Sequence, residues 1–351
     1  MHGVLWALFG VTLVLALGAL TATAGVKPTE RNRQAYGWPL EPCDQQHPVR
    51  GHFGAPRTIF SEPLSHDGLY GPGRVSFHNG IDIVARAGTA VYPAVSGVVR
   101  RISGGLAVVS DDGREFRYQH ITRVARAGER VRACRTILGH IQPRKDHVHF
   151  VEVDRGKVVN PLIARHLRPY VDTTHPSIDE VRLTHGRADT AQTTNVDRES
   201  AASAQVGHED VIELRGRVRL GAEAHDLPTV PIEWPREWAT MRVIPLVPAV
   251  LEATLRRPGP HKVALRVRSN ADFTDTVPLN EHFWRAYRRG THQNWPVVGG
   301  HWHKRKPGAY HFRFPRIDTR ELPNGRYALR VTAFDARGNS GSLRFWVRIK
   351  N

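Results

Sequence analysis

The stretch HVHFVEV, residues His147–Val153, is a strand-sized and largely apolar run with two histidines at its start. Successive side chains of a β-strand point to opposite faces, so residues two positions apart lie on the same side. We therefore expect His147 and His149 to present both imidazoles to one pocket.

Other strand-sized runs lie on the N-terminal side of this stretch, and no helical periodicity competes with them. They are bounded by Gly, Asp or Pro, and Asp111-Asp112-Gly113 between two of them is a hairpin signal. The runs are Val91–Ile102, Leu106–Ser110 and Glu115–Ile121. An all-β or nearly all-β domain is predicted over residues 36–172.

The C-terminal part reads as a second β domain. Between about His185 and His208 the sequence turns polar and small, and residues 173–208 are predicted to be a linker between domains. Beyond it, period-2 runs such as Tyr327–Phe334 and Leu343–Ile349 alternate with turn sequences. This pattern predicts an immunoglobulin-like or fibronectin-like β-sandwich over residues 209–351 and a mainly β fold for the whole chain.

The N-terminus carries an apolar run from Val4 to Leu20, followed by Ala22-Thr23-Ala24. This predicts that residues 1–24 are a signal peptide, or alternatively an uncleaved membrane anchor. The chain would then be exported to a periplasm, a cell envelope or the extracellular space.

The net charge is strongly basic, with 50 Lys and Arg against 33 Asp and Glu, or +17. Such an excess indicates polyanionic surroundings, and nucleic acid, an anionic membrane face and an anionic cell wall all qualify. Export favours anionic wall or envelope polymers and argues against a specific nucleic-acid partner. A coding bias toward arginine is the alternative explanation.

Cysteine is sparse, with Cys43 and Cys134 alone. An oxidising compartment would allow one bridge between them. The spacing does not decide whether the two residues pair.

Histidine patterns invite a metal hypothesis, but they have to be discounted for chance. The chain has 20 histidines, and His-x-x-x-Asp occurs at His78/Asp82 and at two other places, while His-x-His recurs at His301/His303. The context separates the first set, since His78 and Asp82 lie in FHNGIDI. Two histidines and one aspartate make a three-ligand site with an open fourth position, the catalytic arrangement of zinc.

Five elements in this order resemble the lysostaphin-like (LytM-type) zinc endopeptidases of peptidoglycan. They are His-x-Gly-Ile-Asp-Ile, GTAVYPAVSGVV, Tyr-x-His-Ile, His-x-His-Phe-x-Glu-Val and Val-Asn-Pro, spread between about Gly37 and Tyr170. The first domain is accordingly expected to have the LytM-type β-sheet peptidase fold. Departures fall on loops, among them Cys134, which stands where the family usually has Gly.

The resemblance implies a role for each matching residue. His78, Asp82 and His149 would bind one Zn²⁺ per chain, and His120 and His147 would be the unliganded catalytic pair. A metal-bound water would then hydrolyse peptide bonds in stem peptides or cross-bridges of peptidoglycan. The alternative is a noncatalytic envelope protein that binds wall peptides or regulates another wall hydrolase.

Two weaker hypotheses concern the C-terminal part. His301 and His303, with His292 and His311 nearby, form a second candidate metal site, although no acidic third ligand is evident. Aromatic residues interleaved with cations between residues 284 and 305 predict a glycan-binding or wall-binding face, with core packing as the alternative. The residues of this face are Trp284, Arg285, Tyr287, Arg288, Arg289, Trp295, Trp302, Lys304 and Arg305.

Overall fold

The computed structural model describes residues 34–59, 74–186, 191–201, 211–233, 244–259, 263–294 and 307–351. The predicted signal peptide or anchor, residues 1–24, lies outside these ranges. Within the ranges, no helix combines the length and apolar character needed to cross a membrane.

The fold is mainly β, as predicted from the sequence. Helical segments are short and include α1 (Phe283–Ala286) and the 3₁₀ turns Asn280–His282 and Thr319–Glu321. Residues 35–351 form one compact unit. Apolar side chains from both its N-terminal and its C-terminal sheets contribute to a single core cluster.

An eight-stranded antiparallel sheet dominates the N-terminal half. Its order is β1-β4-β12-β8-β7-β6-β10, with β13 paired to β12. The strands are β1 (Val49–Gly51), β4 (Ile81–Val84), β6 (Gly97–Ile102), β7 (Gly105–Ser110), β8 (Glu115–Gln119), β10 (Arg130–Val131), β12 (His147–Asp154) and β13 (Lys157–Val159). The expected strands at residues 91–102, 106–110, 115–121 and 148–153 overlap β6, β7, β8 and β12.

Two small sheets complete this half. One has the order β5-β11-β9 and the other pairs β2 with β3. Their strands are β2 (Pro56–Ile59), β3 (Arg74–Phe77), β5 (Ala90–Val91), β9 (Ile121–Arg123) and β11 (Gly139–Ile141). The β2–β3 ladder brings Arg57 near the residues that precede β4.

A disulfide joins Cys43 to Cys134. The sequence alone did not decide whether these two cysteines pair. The two Cα atoms lie 6.1 Å apart and the residues are 91 positions apart in sequence. Cys134 has a φ of 52°, in the left-handed region that favours glycine. This backbone conformation is unfavourable for a residue other than glycine, and the disulfide holds Cys134 in it.

The C-terminal half consists of two five-stranded sheets. One has the order β15-β14-β17-β20 with β21 paired to β17, and the other β16-β23-β22-β18-β19, in which only β16 and β23 run parallel. The strands are β14 (Ser177–His185), β15 (Gln192–Asp197), β16 (Ile212–Leu214), β17 (Arg217–His225), β18 (Val250–Arg256), β19 (Val263–Asp272), β20 (His311–Arg313), β21 (Ile317–Asp318), β22 (Gly325–Phe334) and β23 (Ser340–Ile349). The immunoglobulin-like assignment stays a prediction.

The predicted linker, residues 173–208, is wrong where the structure describes it as β14 and β15. Ile178, Val181 and Leu183 of β14 are buried, and β14 pairs with both β15 and β17. A register irregularity between Ile178 and Glu180 interrupts the alternation, so the sequence does not show a clean period of two. This stretch therefore belongs to the C-terminal sheets.

An aromatic cluster joins the two halves directly below His78. Phe77 packs against Phe273, Phe283 and Tyr287, with ring centroids 5.1–5.9 Å apart. The Tyr287 hydroxyl donates to the Gly54 carbonyl at 3.1 Å. The loop that carries His78 is thus packed on residues from the C-terminal half.

Replacing both cysteines tests the contribution of the disulfide. We expect Cys43→Ser with Cys134→Ser to lower the free energy of unfolding by about 2–4 kcal/mol, because the bridge closes a long loop and restricts the unfolded chain. Urea denaturation of the variant and of the reduced wild type should give similar values. An unchanged free energy of unfolding would mean that the bridge adds no stability.

Candidate metal centre

The candidate centre lies where β4 and β12 pair. Asp82 of β4 stands directly opposite His149 of β12, and His78 precedes β4 by three residues. Gly80 lies between them, and a Cβ there would overlap the Phe150 carbonyl oxygen. The His-x-Gly-Ile-Asp spacing therefore lets the chain pass close to β12 and return the aspartate to the same face as the histidine.

Three side chains converge at this point, and all three are buried. His78 Nε2 lies 2.9 Å from His149 Nδ1 and 3.1 Å from Asp82 Oδ1. His149 Nδ1 lies 3.1 Å from the same Asp82 oxygen. The structure thus brings together the three residues that the sequence proposed as a ligand set.

The hydrogen-bond partners of the two outer ring nitrogens bear on which inner nitrogens carry a lone pair. His78 Nδ1 lies 2.9 Å from the His52 carbonyl oxygen and 3.0 Å from Arg57 Nη2, so it donates to the carbonyl when it carries the proton and accepts from the guanidinium when it does not. His149 Nε2 lies 3.2 Å from Asn79 Oδ1, another acceptor. When His78 carries its proton on Nδ1 and His149 on Nε2, the inner nitrogens His78 Nε2 and His149 Nδ1 are unprotonated and face the Asp82 carboxylate.

This donor set fits a small divalent cation. Three electron-pair donors within 3.1 Å of one another repel unless a proton or a metal cation lies among them. Zinc bonds of about 2.0–2.1 Å would place neighbouring ligand atoms of a tetrahedron about 3.3 Å apart. Two imidazoles and one carboxylate are also ligand types that zinc takes.

Arg57 lies beside the centre, a residue that sequence reasoning missed. Its guanidinium donates to Asp82 Oδ2 at 2.9 Å, on the carboxylate oxygen that faces away from the histidines. Burial opposes the charged form of Asp82, but the neighbouring His78, His147 and Arg57 hold the pKa of Asp82 well below its usual range, and Arg57 is the cation that remains when the histidines are neutral. Asp82 is therefore ionised at neutral pH.

Three histidines at or beside the centre, His78, His120 and His147, are kept neutral. Burial, and then the Arg57 guanidinium, lowers the pKa of His78 to about 4. Burial likewise lowers the pKa of His120 to about 4 and that of His147 well below its usual value. A metal ligand or a proton acceptor has to be a neutral imidazole, so this environment suits both functions at pH 7.

His147 and His120 lie beside the three converging side chains without belonging to that group. Their ring centroids are 4.7 Å apart, and His147 Nε2 lies 3.6 Å from Asp82 Oδ1. His120 follows β8 directly, has a φ of 64°, and its ring centroid lies 6.2 Å from that of His149. The sequence proposed this pair, and the structure brings it within reach of the three converging side chains.

Arg50 is the second neighbour that sequence reasoning missed. Its Nη2 lies 2.6 Å from His147 Nδ1, which is also 2.5 Å from the Lys145 carbonyl oxygen. An arginine donates only to an unprotonated ring nitrogen, whereas a carbonyl accepts only from a ring N–H. The contact that His147 uses therefore sets which of its nitrogens carries the proton. Neither Arg50 nor Arg57 lies in a sequence motif. Their proximity to the centre follows from the pairing of β1 and β2 with other strands.

The structure bears differently on the second candidate metal site and on the candidate wall-binding face. His301 and His303 lie outside the described residues, as do Trp295, Trp302, Lys304 and Arg305. Tyr287 is fully buried, so core packing accounts for it. Trp284, Arg285 and Arg288, by contrast, line an open cleft of about 650 Å³ beside β17 and β20.

Comparison with known proteins gives distant structural matches alone. No protein-family model and no curated protein matches the chain. Among solved structures, the M23 metalloprotease pseudoalterin from deep-sea is 18% identical with a TM-score of 0.25, over 38% of this chain and 78% of that one. LytU is 24% identical with a TM-score of 0.24, over 34% and 83% of the two chains.

A third match is the catalytic domain of a mutant of the prophage-encoded M23 protein EnpA from Enterococcus faecalis. It is 28% identical with a TM-score of 0.22, over 32% of this chain and 93% of that one. With TM-scores this low, the chemistry of the centre has to be inferred from its own geometry.

Gly80 offers a direct test of how the centre is assembled. We expect Gly80→Ala to destabilise the fold by about 1–3 kcal/mol, because the added methyl group meets the backbone of β12 and has nowhere to move. Gly221→Ala is the control, since the nearest atom to its Cβ would be 3.1 Å away and its cost should be smaller. Equal thermal melting of Gly80→Ala and wild type would contradict this account.

Proposed function

We propose that the protein is an exported zinc endopeptidase that hydrolyses peptide bonds in peptidoglycan stem peptides or cross-bridges. The observation that carries this proposal is the convergence of His78 Nε2, His149 Nδ1 and Asp82 Oδ1 as three buried lone-pair donors beside two further neutral histidines. Together with the five sequence elements, this geometry favours hydrolysis over a purely structural centre.

His78, Asp82 and His149 are the residues that would hold the zinc ion. A zinc ion bound there supplies a Lewis acid that polarises a peptide carbonyl and lowers the pKa of water. Three protein ligands leave a coordination position open, which distinguishes a catalytic site from a closed structural one. Asn79 and the His52 carbonyl orient the two ligand rings through their outer nitrogens.

His147 and His120 divide two tasks between them. A neutral imidazole accepts a proton from the attacking water, and a ring N–H faces the substrate oxygen on which negative charge develops. When Nδ1 of His147 donates to the Lys145 carbonyl, its Nε2 is left with a lone pair toward the pocket. Neutrality at pH 7 leaves both rings able to serve in these roles.

Export is supported by two independent features. The apolar N-terminal run followed by Ala22-Thr23-Ala24 has the form of a cleavable signal. The Cys43–Cys134 disulfide is of a kind that persists in oxidising compartments. Peptidoglycan lies in those compartments, which makes it an accessible substrate for this chemistry.

Zinc content and wall hydrolysis, measured on the same samples, test the proposal. The chain from Gly25 should bind about one zinc and release soluble peptides from purified peptidoglycan. His147→Ala should keep its zinc while its rate falls about 10²- to 10⁴-fold, because it loses a proton-transfer group and no ligand. His149→Ala should lose both zinc and activity.

His175→Ala is the matched control, because His175 is exposed and lies outside the centre. It should behave as wild type in both measurements. Zinc binding with no peptide release by the wild type would instead favour the alternative, a noncatalytic envelope protein that binds wall peptides or regulates another hydrolase. Equal release by wild type and His147→Ala would rule out this centre as the hydrolytic site.

We further propose that anionic wall or envelope polymers bind in the cleft beside β17 and β20. Trp284 offers a ring face on which a sugar could stack, and none of the described lining residues is acidic. Burial, and then Arg182, lowers the pKa of Arg288, whereas Glu180 and Glu223 nearby raise it. Six arginines line the cleft: Arg182, Arg219, Arg285, Arg288, Arg313 and Arg316.

Two double arginine variants distinguish wall binding by the cleft from wall binding by the overall net charge. Arg313→Ala with Arg316→Ala should weaken sedimentation with purified cell wall several-fold at low salt, and the difference should shrink as salt screens it. Arg123→Ala with Arg126→Ala removes the same charge from an exposed segment of the N-terminal half. If the two double variants bind equally, overall charge rather than the cleft governs wall binding.

A further inference from the structure

Three aspartates from separate parts of the chain meet at the junction between the two halves. Asp172 follows the N-terminal sheets, Asp226 follows β17, and Asp335 lies in the turn between β22 and β23. One carboxylate oxygen from each lies within 4.8 Å of the others. Asp226 is 1% exposed and Asp335 is 6% exposed, so the cluster is largely removed from solvent.

Two of these carboxylates are held in place by neutral donors. Asp172 Oδ1 accepts from the hydroxyls of Thr174 and Thr229, each at 2.6 Å. Asp335 accepts from the Asn339 main chain at 2.9 Å and from its side-chain amide at 2.7 Å. These donors orient the carboxylates but do not neutralise their charge.

Asp226 provides the observation that points to a ligand. Its Oδ1 accepts from the Leu227 N–H at 2.8 Å, whereas its Oδ2 is buried and has no hydrogen-bond partner. A buried carboxylate oxygen without a partner is costly, and two neighbouring carboxylates increase that cost. A cation among the three aspartates would remove both penalties.

We infer that Asp172, Asp226 and Asp335 form a calcium-binding site that joins the two halves of the protein. Calcium takes oxygen ligands only, usually six to eight of them, and tolerates irregular geometry. Magnesium retains most of its waters, which a buried cluster accommodates poorly, and zinc favours nitrogen and sulfur ligands. The site is separate from the His78–Asp82–His149 centre in residues and in preferred metal.

The position of the site gives it a structural role. Asp172 is the last acidic residue before β14, and its own carbonyl accepts from Asn339 Nδ2 at 3.0 Å. One ion would therefore hold the start of the C-terminal half to the ends of strands from both of its sheets. Three independent chain segments would become coupled through a single ligand.

Calcium titration of the full chain from Gly25, after chelation and with zinc restored, tests this inference. Equilibrium dialysis with CaCl₂ alone should give about one calcium per chain, with a dissociation constant in the range of about 10⁻⁴–10⁻³ M that is typical of extracellular modules. Melting should rise by several degrees at saturating calcium, because the ion binds the folded state. Magnesium at the same concentration should produce a smaller shift.

Asp226→Asn should abolish the calcium-dependent rise in melting temperature while leaving zinc content unchanged. Asp275→Asn, an exposed aspartate in the same half, is the matched control and should keep the full calcium response. If Asp226→Asn fails to fold, Asp172→Asn, at the more exposed member of the cluster, serves the same purpose.

Two results would overturn the inference. One is a wild-type protein that neither binds calcium nor melts at a higher temperature in its presence. The other is an Asp226→Asn variant that is more stable than wild type and still responds to calcium, which would show that the carboxylates share a proton and that calcium binds elsewhere. Neither result depends on whether the zinc centre hydrolyses peptidoglycan.

Discussion

Burial of both faces of β12 is the constraint on which the rest of the structure depends. All but the last of its eight residues are buried, and it lies between β4 and β8 in the sheet. One face carries His147 and His149, and the opposite face carries Phe150 and Glu152. Because the side-chain period is two, a shift of one residue would exchange the imidazoles for core residues.

The reverse face of β12 is anchored by a buried polar network. Glu152 is fully buried and accepts from the Tyr36 hydroxyl at 2.5 Å, from His166 Nδ1 at 2.6 Å and from Arg114 Nη1 at 3.3 Å. A buried carboxylate is tolerated only when its oxygens are satisfied in this way, so the network specifies one register for the strand. Contacts on one face of β12 therefore fix the position of His147 and His149 on the opposite face, where the candidate centre lies.

The sequence predicted the centre better than it predicted the surroundings of the centre. Local patterns, namely a strand that begins with His-x-His and a glycine-containing turn between His78 and Asp82, indicate the position of the centre, and the family resemblance implies which residues are the ligands. Arg57 reaches Asp82 across a separate ladder, and the absence of a side chain at Gly51 makes room for it, since a Cβ there would lie 2.8 Å from Asp82 Oδ2. Contacts of this kind depend on pairing between distant strands, which no local pattern encodes.

The linker prediction failed for a related reason, and its failure changes how the two halves should be regarded. β14 pairs with β17 and also contacts β22 and β23 of the facing sheet, so a fragment beginning at residue 209 lacks a central strand of its own fold. Conversely, the Phe77 ring below His78 rests on Phe273 and Tyr287 from the C-terminal half. A fragment ending at residue 172 would expose that aromatic cluster and lose the support beneath one proposed metal ligand. The C-terminal half is therefore part of the structure that positions the centre, whatever it binds on its outer surface.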